Sequence, residues 1–184
     1  MEDTRNLIDA YKGKSNEQVF SELEKQRTPL EIAIENVEHD FNIGTIVRSA
    51  NSFNVKKVHI IGKKKYNRRG AMVTDKYLHM THFESVVDFV KDAHERGMKV
   101  IVFGSASETG DKVPRHSCGK NLFQIADYVV DTCCPIVDAS CQLKKHQDKV
   151  GPLSTMASVT TVWMTICTVA EILEERGVKL YIHP

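Results

Sequence analysis

The sequence predicts an α/β fold built as a three-layer, doubly wound and mostly parallel sheet of the Rossmann or flavodoxin type. Short apolar runs that are typical of buried strands alternate along the chain with segments of helical periodicity. The 184 residues have the length of one ordinary domain, enough to bury a core. Since threaded chains are rare, we expect the sheet to be unknotted.

Each predicted element follows from its local residues. Ser15 and Gln18 form a capping box that begins a helix ending near Lys25. Further helices are predicted at residues 43–53, 84–97 and 154–176 from apolar residues at helical spacing. Apolar runs predict strands at residues 30–35, 55–61, 78–83, 98–104, 126–132 and 178–182.

Composition and cysteine usage exclude several classes of protein. A net charge of +1 with 27% charged residues is typical of a soluble globular chain. We expect no membrane partner, because no stretch of the sequence approaches the ~20 apolar residues that a membrane span requires. The five cysteines are odd in number and form no C-x-x-C pair, which favours a reduced, cytoplasmic protein. No metal is predicted, since the spacing of His116, Cys118, Cys133 and Cys134 fits no standard zinc site.

Asn36, Asn42, Gly44 and Arg48 surround the predicted start of the helix 43–53, where a strand ends. Exposed amides at a helix N-terminus favour an anion, and a glycine lets the backbone approach a ligand closely. The asparagines can lock the loop, and the guanidinium can hold a phosphate or a sugar hydroxyl. Spacing alone favours a plainer alternative, in which the asparagines cap turns and Arg48 pairs with a surface acid.

A basic cluster follows this motif directly. From Lys56 to Lys76 the chain carries eight lysines and arginines against one acid, Asp75. Such a cluster is typical of contact with a phosphate backbone, although a charge run by itself is more often a solvated loop. Its position immediately after the asparagine and arginine motif favours a nucleic-acid partner.

Residues 36–53, NVEHDFNIGTIVRSANSF, resemble the first motif of the SpoU class of RNA ribose 2'-O-methyltransferases, and the similarity extends over about residues 4–100. The resemblance implies an RNA partner, tRNA or rRNA, and S-adenosylmethionine as the methyl donor. It makes Arg48 the catalytic residue that positions the ribose, while Asn36 and Asn42 shape the active-site loop. It also implies that five cations bind RNA phosphates: Lys63, Lys64, Lys65, Arg68 and Arg69.

The second half of the chain lacks the further SpoU motifs that bind the methyl donor, form the knot and build the dimer. Residues 97–178 instead resemble the carboxyl half of a sugar isomerase (SIS) domain. The chain therefore resembles a chimera within a single domain, 1–184. Its parts are a helical extension (1–27), a SpoU-like half (28–97) and a SIS-like half (98–184). The oligomeric state stays open, with a homodimer as one alternative.

The resemblance to SIS domains implies an alternative function, a module that binds phosphosugars or phosphate. The candidate phosphate ligands of this module include Ser105, Ser154 and Thr155, and the last two lie at a predicted helix N-terminus. Simple N-capping is the plainer interpretation of that pair. Gly44 of the SpoU-like motif is a further candidate phosphate-binding residue. A third alternative is a folded chimera without evolved activity. For the SpoU-like interpretation, we expect RNA binding to be retained more readily than catalysis. Catalysis needs the methyl group in line with the ribose oxygen, and a misplacement of ~1 Å can cost about a hundredfold in rate.

Overall fold

The computed structural model describes residues 3–5, 7–36, 41–110, 119–135 and 137–180. The chain divides into two compact units, residues 1–91 and 92–184. The division falls inside the helix–strand segment 84–103, where the two resemblances meet.

The first unit contains a parallel three-stranded sheet in the order β1 (Thr28–Asn36), β2 (Val55–Gly62) and β3 (Met80–Phe83). Helix α1 (Asn16–Glu24) precedes the sheet and α2 (Phe41–Ser52) connects β1 to β2. Asn36 pairs with Gly62, and Ile61 pairs with Phe83. The carboxyl ends of the three strands therefore meet at one edge, as the sequence predicts for a parallel sheet.

The core of the first unit lies between α2 and this sheet. Ile43, Val47 and Ala50 follow one another at helical spacing and are buried against strand residues such as Val58 and Ile60. Each fully buried aliphatic side chain of this kind contributes roughly 1.5–3 kcal/mol. The helix predicted at residues 43–53 is thus confirmed as Phe41–Ser52, although Phe53 lies beyond its end and both Ile46 and Phe53 are exposed.

Helix α1 begins with the predicted capping box, which the structure confirms. The Gln18 amide donates to Ser15 Oγ over 3.2 Å, and the Ser15 amide donates to Gln18 Oε1 over 2.8 Å. Arg27 then fastens this segment to the sheet by donating to the carbonyls of Val55 and Tyr77. Only 4% of its side chain is exposed, so these hydrogen bonds lie inside the first unit.

One polar cluster is buried within the first unit. His59 Nε2 lies 2.8 Å from a carboxylate oxygen of Glu31, and His59 Nδ1 lies 2.5 Å from Thr81 Oγ1. The three residues come from β1, β2 and β3, in the same order as the strands. Their hydrogen bonds explain how a histidine is accommodated in the buried part of β2.

The second unit contains two small sheets. Strands β4 (Ile101–Gly104) and β5 (Tyr128–Asp131) pair in parallel, and β6 (Ala139–Gln142) and β7 (Lys149–Pro152) form an antiparallel hairpin. Single-turn helices α4 (Ala106–Thr109) and α5 (Leu122–Ile125) lie between β4 and β5. Helix α3 (Val86–Glu95) spans the boundary between the units, and α6 (Leu153–Glu175) follows the hairpin.

The prediction of one continuous, doubly wound sheet is wrong for the described residues, which form three separate sheets in an α/β fold. The strands of the second unit have four residues each and pair only within their own sheets. Between β5 and α6 the chain forms a hairpin whose residues are nearly all exposed, instead of another buried parallel strand. Residues 178–180 are not in a strand, and 181–184 lie outside the described residues.

Helix α6 corrects a second expectation, that no stretch is long and apolar enough to span a membrane. Its 23 residues pass that test by length and composition alone. No charged residue occurs from Leu153 to Ala170, and none of the helix residues is buried. The helices of soluble cores pass the same test, but they are mostly buried, and α6 is not.

Candidate functional site

The amino end of α2 is packed against the loop that follows β2. A Cβ atom on Gly44 would lie 2.8 Å from the Ala71 nitrogen and 2.9 Å from the Asn67 carbonyl oxygen. A Cβ atom on Gly70 would lie 2.9 Å from the Thr45 nitrogen. The two backbone segments therefore cross at Gly44 and Gly70, where neither segment has a side chain. The sequence predicted that a ligand approaches Gly44 closely. In the structure, residues 67–71 of the protein itself occupy the space beside Gly44.

Asn36 holds the start of the same loop. Its side-chain nitrogen donates to the carbonyl oxygens of Lys63 over 2.6 Å and of Lys65 over 3.0 Å. The Lys63 amide donates to the Asn36 carbonyl over 3.2 Å. Only 3% of Asn36 is exposed, so these bonds are screened from water. We call residues 63–69 the basic loop. Asn36 holds its start, and the crossing of Gly44 and Gly70 holds its end.

The five predicted RNA-binding cations are all exposed on the basic loop, but they are not equivalent. Arg68 forms an ion pair with Asp75, whose side chain is 7% exposed. Tyr66 is half-buried against the core, and burial raises the pKa of its hydroxyl while the charge of Arg68 acts in the opposite direction. Arg68 thus contributes to holding the loop. The cations not engaged by Asp75 are Lys63, Lys64, Lys65 and Arg69.

Arg48 and Asn42 are both exposed on α2. Arg48 follows Gly44 by four residues and so lies on the same side of the helix, the side that meets the basic loop. Asn42 is six residues before Arg48 and projects from a different side. Residues 37–40 of the same motif lie outside the described residues.

Met72 and Val73 form an unusual turn just after the basic loop. Both have left-handed backbone angles, with φ of 49° and 63°, and both side chains are exposed. Left-handed geometry is rare for bulky residues and especially for a β-branched one. Sequence reasoning missed this turn, because neither residue type predicts it.

The remaining predicted phosphate ligands lie in the second unit, whereas Gly44 lies in the first. At the start of α6, the Ser154 amide donates to an Asp138 carboxylate oxygen over 2.6 Å, and the Leu153 amide donates to the Asp138 carbonyl. The Ser154 amide is the main reason that the pKa of Asp138 is lowered. An anion at this helix N-terminus would meet a carboxylate already in place. Thr155 is exposed beside it.

The loop after β4 is organised by Asp131 at the end of β5. Its carboxylate accepts from the amides of Ala106, Ser107 and Cys133, and the Cys133 amide is the main cause of its lowered pKa. Ser105 donates its hydroxyl to the Cys134 carbonyl. These backbone and hydroxyl groups are engaged within the protein.

The structure does not test the zinc site that was considered from the sequence, because only part of it is described. Among the described residues, no group of three or more histidine, cysteine or acidic side chains could hold a metal. His116 and Cys118 lie outside the described residues, while Cys133 is exposed and Cys134 is buried.

Similar proteins were found by sequence and by structure. A UPF0309 protein of Shouchella clausii is 33% identical over 91 residues, and one of Oceanobacillus iheyensis is 32% identical over 94 residues. These matches cover about half of this chain (50% and 51%) but only 37% and 38% of the two relatives. The matched segment therefore spans well under half the length of these relatives.

Two solved structures are similar at a low level. A TrmH/SpoU tRNA modifying enzyme of A. aeolicus has a TM-score of 0.48 and 17% identity, covering 89% of this chain and 84% of its own. The SpoU methyltransferase AviRb of Streptomyces viridochromogenes, in complex with AdoMet, has a TM-score of 0.42 and 17% identity, covering 74% and 58%. Likeness at this level carries no argument about function.

The sequence match to a family is more informative. The SpoU rRNA Methylase family matches residues 29–124, which is just over half of the chain. This range contains the sheet of the first unit, α2, Arg48 and the whole basic loop. The chain belongs to the SpoU rRNA methylase family.

Proposed function

We propose that the first unit binds RNA and presents a ribose to Arg48, in the manner of the SpoU RNA ribose 2'-O-methyltransferases. The observation that supports this most is the family match over residues 29–124, which includes both the arginine and the basic loop. The substrate class is RNA, either rRNA or tRNA.

The basic loop supplies the electrostatic part of the proposal. Lys63, Lys64, Lys65 and Arg69 are exposed on a segment that Asn36 and the Gly44–Gly70 crossing hold in place. A loop that is already ordered loses little conformational entropy when it binds, so more of the attraction to phosphates appears as affinity. The contacts of these cations are to the RNA backbone and are independent of base sequence.

Arg48 supplies the chemical part. A guanidinium remains protonated in proteins, so it acts as a hydrogen-bond donor and not as a base. In the proposed complex Arg48 donates to the ribose 2'-oxygen and to a neighbouring phosphate. This arrangement holds the ribose 2'-oxygen in a fixed position and orientation. Asn42, exposed near the start of the same helix, is assigned to shaping the loop that encloses the ribose.

S-adenosylmethionine is the donor that the family implies, but the second half of the chain lacks the family's donor-binding motifs, and the described amides of the loop after β4 are engaged within the protein. In the loop after β4, the amides of Ala106 and Ser107 are bonded to Asp131. A Cβ atom on Gly104 would lie 2.8 Å from the Phe123 ring, so this ring lies close to the last residue of β4. We therefore derive no step through the donor, and RNA binding is the primary proposal.

The test of RNA binding is its dependence on salt. Changing Lys63, Lys64, Lys65 and Arg69 to glutamine should reduce the slope of log affinity against log salt by roughly 0.7–0.9 for each phosphate that the loop no longer neutralises. Fluorescence anisotropy with a labelled rRNA or tRNA fragment at several salt concentrations measures this slope. A variant with glutamine at Lys144, Lys145 and Lys149 of the second unit is a control that removes a similar amount of charge. An unchanged slope in the loop variant would remove the basic loop from the interface.

The role of Arg48 is tested by a variant, Arg48→Ala, in which folding and methyl transfer are measured separately. Arg48→Ala should leave the free energy of unfolding within about 0.5 kcal/mol of the parent, because the side chain is exposed. Any transfer of label from S-adenosylmethionine to RNA should disappear in this variant. Calorimetric titration with S-adenosylmethionine, without RNA, shows independently whether the donor binds. Transfer at the parent rate by Arg48→Ala would exclude the role assigned to Arg48.

A further inference from the structure

Met72 and Val73 are exposed apolar residues directly beside the basic loop. Their exposed fractions are 51% and 63%, whereas Ala71 just before them and Thr74 just after them are buried. Single exposed apolar residues are ordinary on a protein surface. Here two adjacent ones lie between buried neighbours, so the backbone leaves the interior for these two residues and then returns to it.

The turn at Met72 and Val73 is held on both sides. Thr74 Oγ1 donates to the Ala71 carbonyl over 2.6 Å, and the ion pair between Arg68 and Asp75 encloses the turn. The Ala71 nitrogen lies at the crossing with Gly44. The two apolar side chains therefore project from an ordered frame, and binding through them would cost little conformational entropy.

The backbone of the turn favours a role in binding for these two side chains. Both residues have left-handed φ angles, a region that glycine and asparagine occupy more readily than methionine or valine. Backbone outliers of this kind are concentrated at active sites and ligand-binding sites. Neither side chain is buried in the core, so both are accessible to a ligand.

The cations of the basic loop indicate the chemistry of that ligand. The Met72 amide donates to the Arg69 carbonyl over 3.2 Å, so an apolar residue and a cationic residue lie next to each other. Lys63, Lys64 and Lys65 add exposed positive charge earlier in the same loop. A nucleotide offers a charged phosphate and a flat base to such a surface. Aliphatic side chains, methionine among them, pack against the bases of nucleic acids.

A base can reach Met72 and Val73 only where it is not paired inside a helix. In double-stranded RNA, proteins contact mainly the phosphates and the 2'-hydroxyl groups. In loops and bulges the bases are turned outward and pack against side chains. The exposed apolar pair is therefore suited to an unpaired nucleotide and not to a continuous duplex.

We propose that Met72 and Val73 form a contact surface for the base of an unpaired nucleotide, while the cations of the basic loop bind neighbouring phosphates. This inference rests on the proposed RNA binding and adds to it the form of RNA that the first unit selects, a loop or a bulge. The phosphate contacts supply affinity for any RNA, and the apolar contact supplies the preference for an unpaired base.

The preference is tested with two labelled RNAs. One is a perfect duplex, and the other, the looped RNA, is the same duplex with a short internal loop of unpaired nucleotides. The parent should bind the looped RNA about tenfold more tightly, as expected when two exposed apolar side chains become covered. Fluorescence anisotropy at constant salt measures both affinities.

The two RNAs also separate this preference from RNA binding itself. Binding of neither RNA by the parent would overturn RNA binding by the first unit and the role of Met72 and Val73 together. Equal binding of both RNAs, with a salt slope that depends on the basic loop, would overturn only the role of Met72 and Val73.

The double variant Met72→Asn and Val73→Asn removes the apolar surface at positions where asparagine tolerates the left-handed backbone. Its thermal unfolding midpoint should be at least that of the parent, and its preference for the looped RNA should be lost. The slope of log affinity against log salt should stay unchanged, because no cation is altered. The corresponding double glycine variant should behave alike. A retained preference, or a changed salt slope, would contradict a contact between the turn and a base.

Phe53→Asn is the matched control for the loss of exposed apolar surface. Phe53 is 73% exposed and lies just after the carboxyl end of α2, whereas the basic loop crosses the amino end of that helix. The preference for the looped RNA should remain in this variant. An equal loss of preference would assign the effect to apolar exposure in general and would overturn the proposal.

Methyl resonances measure the contact directly. In protein with isotope-labelled methionine, the ε-methyl proton signal of Met72 is identified by its absence from Met72→Asn. It should move upfield when the looped RNA is added, because the ring current of a base shields it. Met156 and Met164 of the second unit are also exposed and serve as internal references. A Met72 signal that stays in place while the RNA binds would overturn the proposal.

Discussion

At the scale of single residues, Asn36 shows how one side chain can link a strand to a functional loop. It lies at the last position of β1 and donates from its side-chain nitrogen to two carbonyls of the basic loop. The sequence predicted that Asn36 would shape a loop, on the basis of its position and the family resemblance. It could not predict which carbonyls accept, because these lie 27 and 29 residues away along the chain.

Replacing Asn36 should therefore affect both stability and binding. Asn36→Ala removes the donor to two carbonyls that are screened from water, at a cost of about 1–3 kcal/mol. Asn36→Asp should cost at least as much, since a carboxylate faces the carbonyls without a hydrogen to donate. Denaturant unfolding measures the loss, and Asn42→Ala at an exposed position is the control. If Asn36→Ala unfolds at the parent midpoint, the two hydrogen bonds do not hold the loop.

At the scale of elements, α2 and the basic loop are joined by their backbones. Gly44 and Gly70 are the residues that allow it, since a Cβ atom on either would lie within 3.0 Å of the other segment. The sequence reasoning noticed Gly44 but assigned the space to a ligand. A glycine gives the same signal for close approach to a ligand and to another backbone, so sequence alone does not separate the two.

Gly44→Ala tests the crossing. In an exposed helix, replacing glycine by alanine would stabilise by about 1 kcal/mol. Here we expect a net loss of stability, because overpacking against backbone costs about 1–3 kcal/mol and the loop must move. Ser49→Ala, at an exposed position of the same helix, gives the baseline for α2 in thermal unfolding. A stabilised Gly44→Ala protein would show that the segments separate at no cost.

The elements also show which sequence signals are dependable. The capping box of α1, the apolar periodicity of α2 and the apolar strands β1 and β2 were all predicted close to their observed bounds. Each depends on a local pattern. The hairpin β6–β7 and the role of Arg27 were missed, because the hairpin has no apolar alternation and the hydrogen bonds of Arg27 join segments up to 50 residues apart.

At the scale of the whole molecule, carboxylates whose pKa is lowered occur in both units. Hydrogen bonds lower the pKa of Asp3, through Arg5, and of Glu24, through Arg27. In the second unit, the Val100 amide is the main cause of the lowered pKa of Asp127, followed by His94 and Lys99. These groups hold their protons less tightly in the folded chain than in the unfolded chain.

These lowered pKa values determine whether the folded chain gains or loses stability as the pH falls. A lowered folded pKa contributes stability that is fully present above the unfolded pKa, near 4, and is lost as the pH falls below it. We expect the unfolding midpoint to decrease from about pH 5 downward, as the unfolded chain takes up protons. Thermal unfolding between pH 3 and pH 7 measures the trend, and Asp127→Asn should make it shallower. A midpoint that rises as the pH falls would contradict the assigned hydrogen bonds.

The turn at Met72–Val73 gives the molecule a store of conformational energy beside its candidate RNA surface. Left-handed geometry at two successive non-glycine residues costs on the order of 1–3 kcal/mol each. A bound polynucleotide that let this turn unwind would recover part of that energy, so recognition and relaxation would favour each other. The backbone conformation of this turn and the proposed binding of RNA would then be energetically coupled.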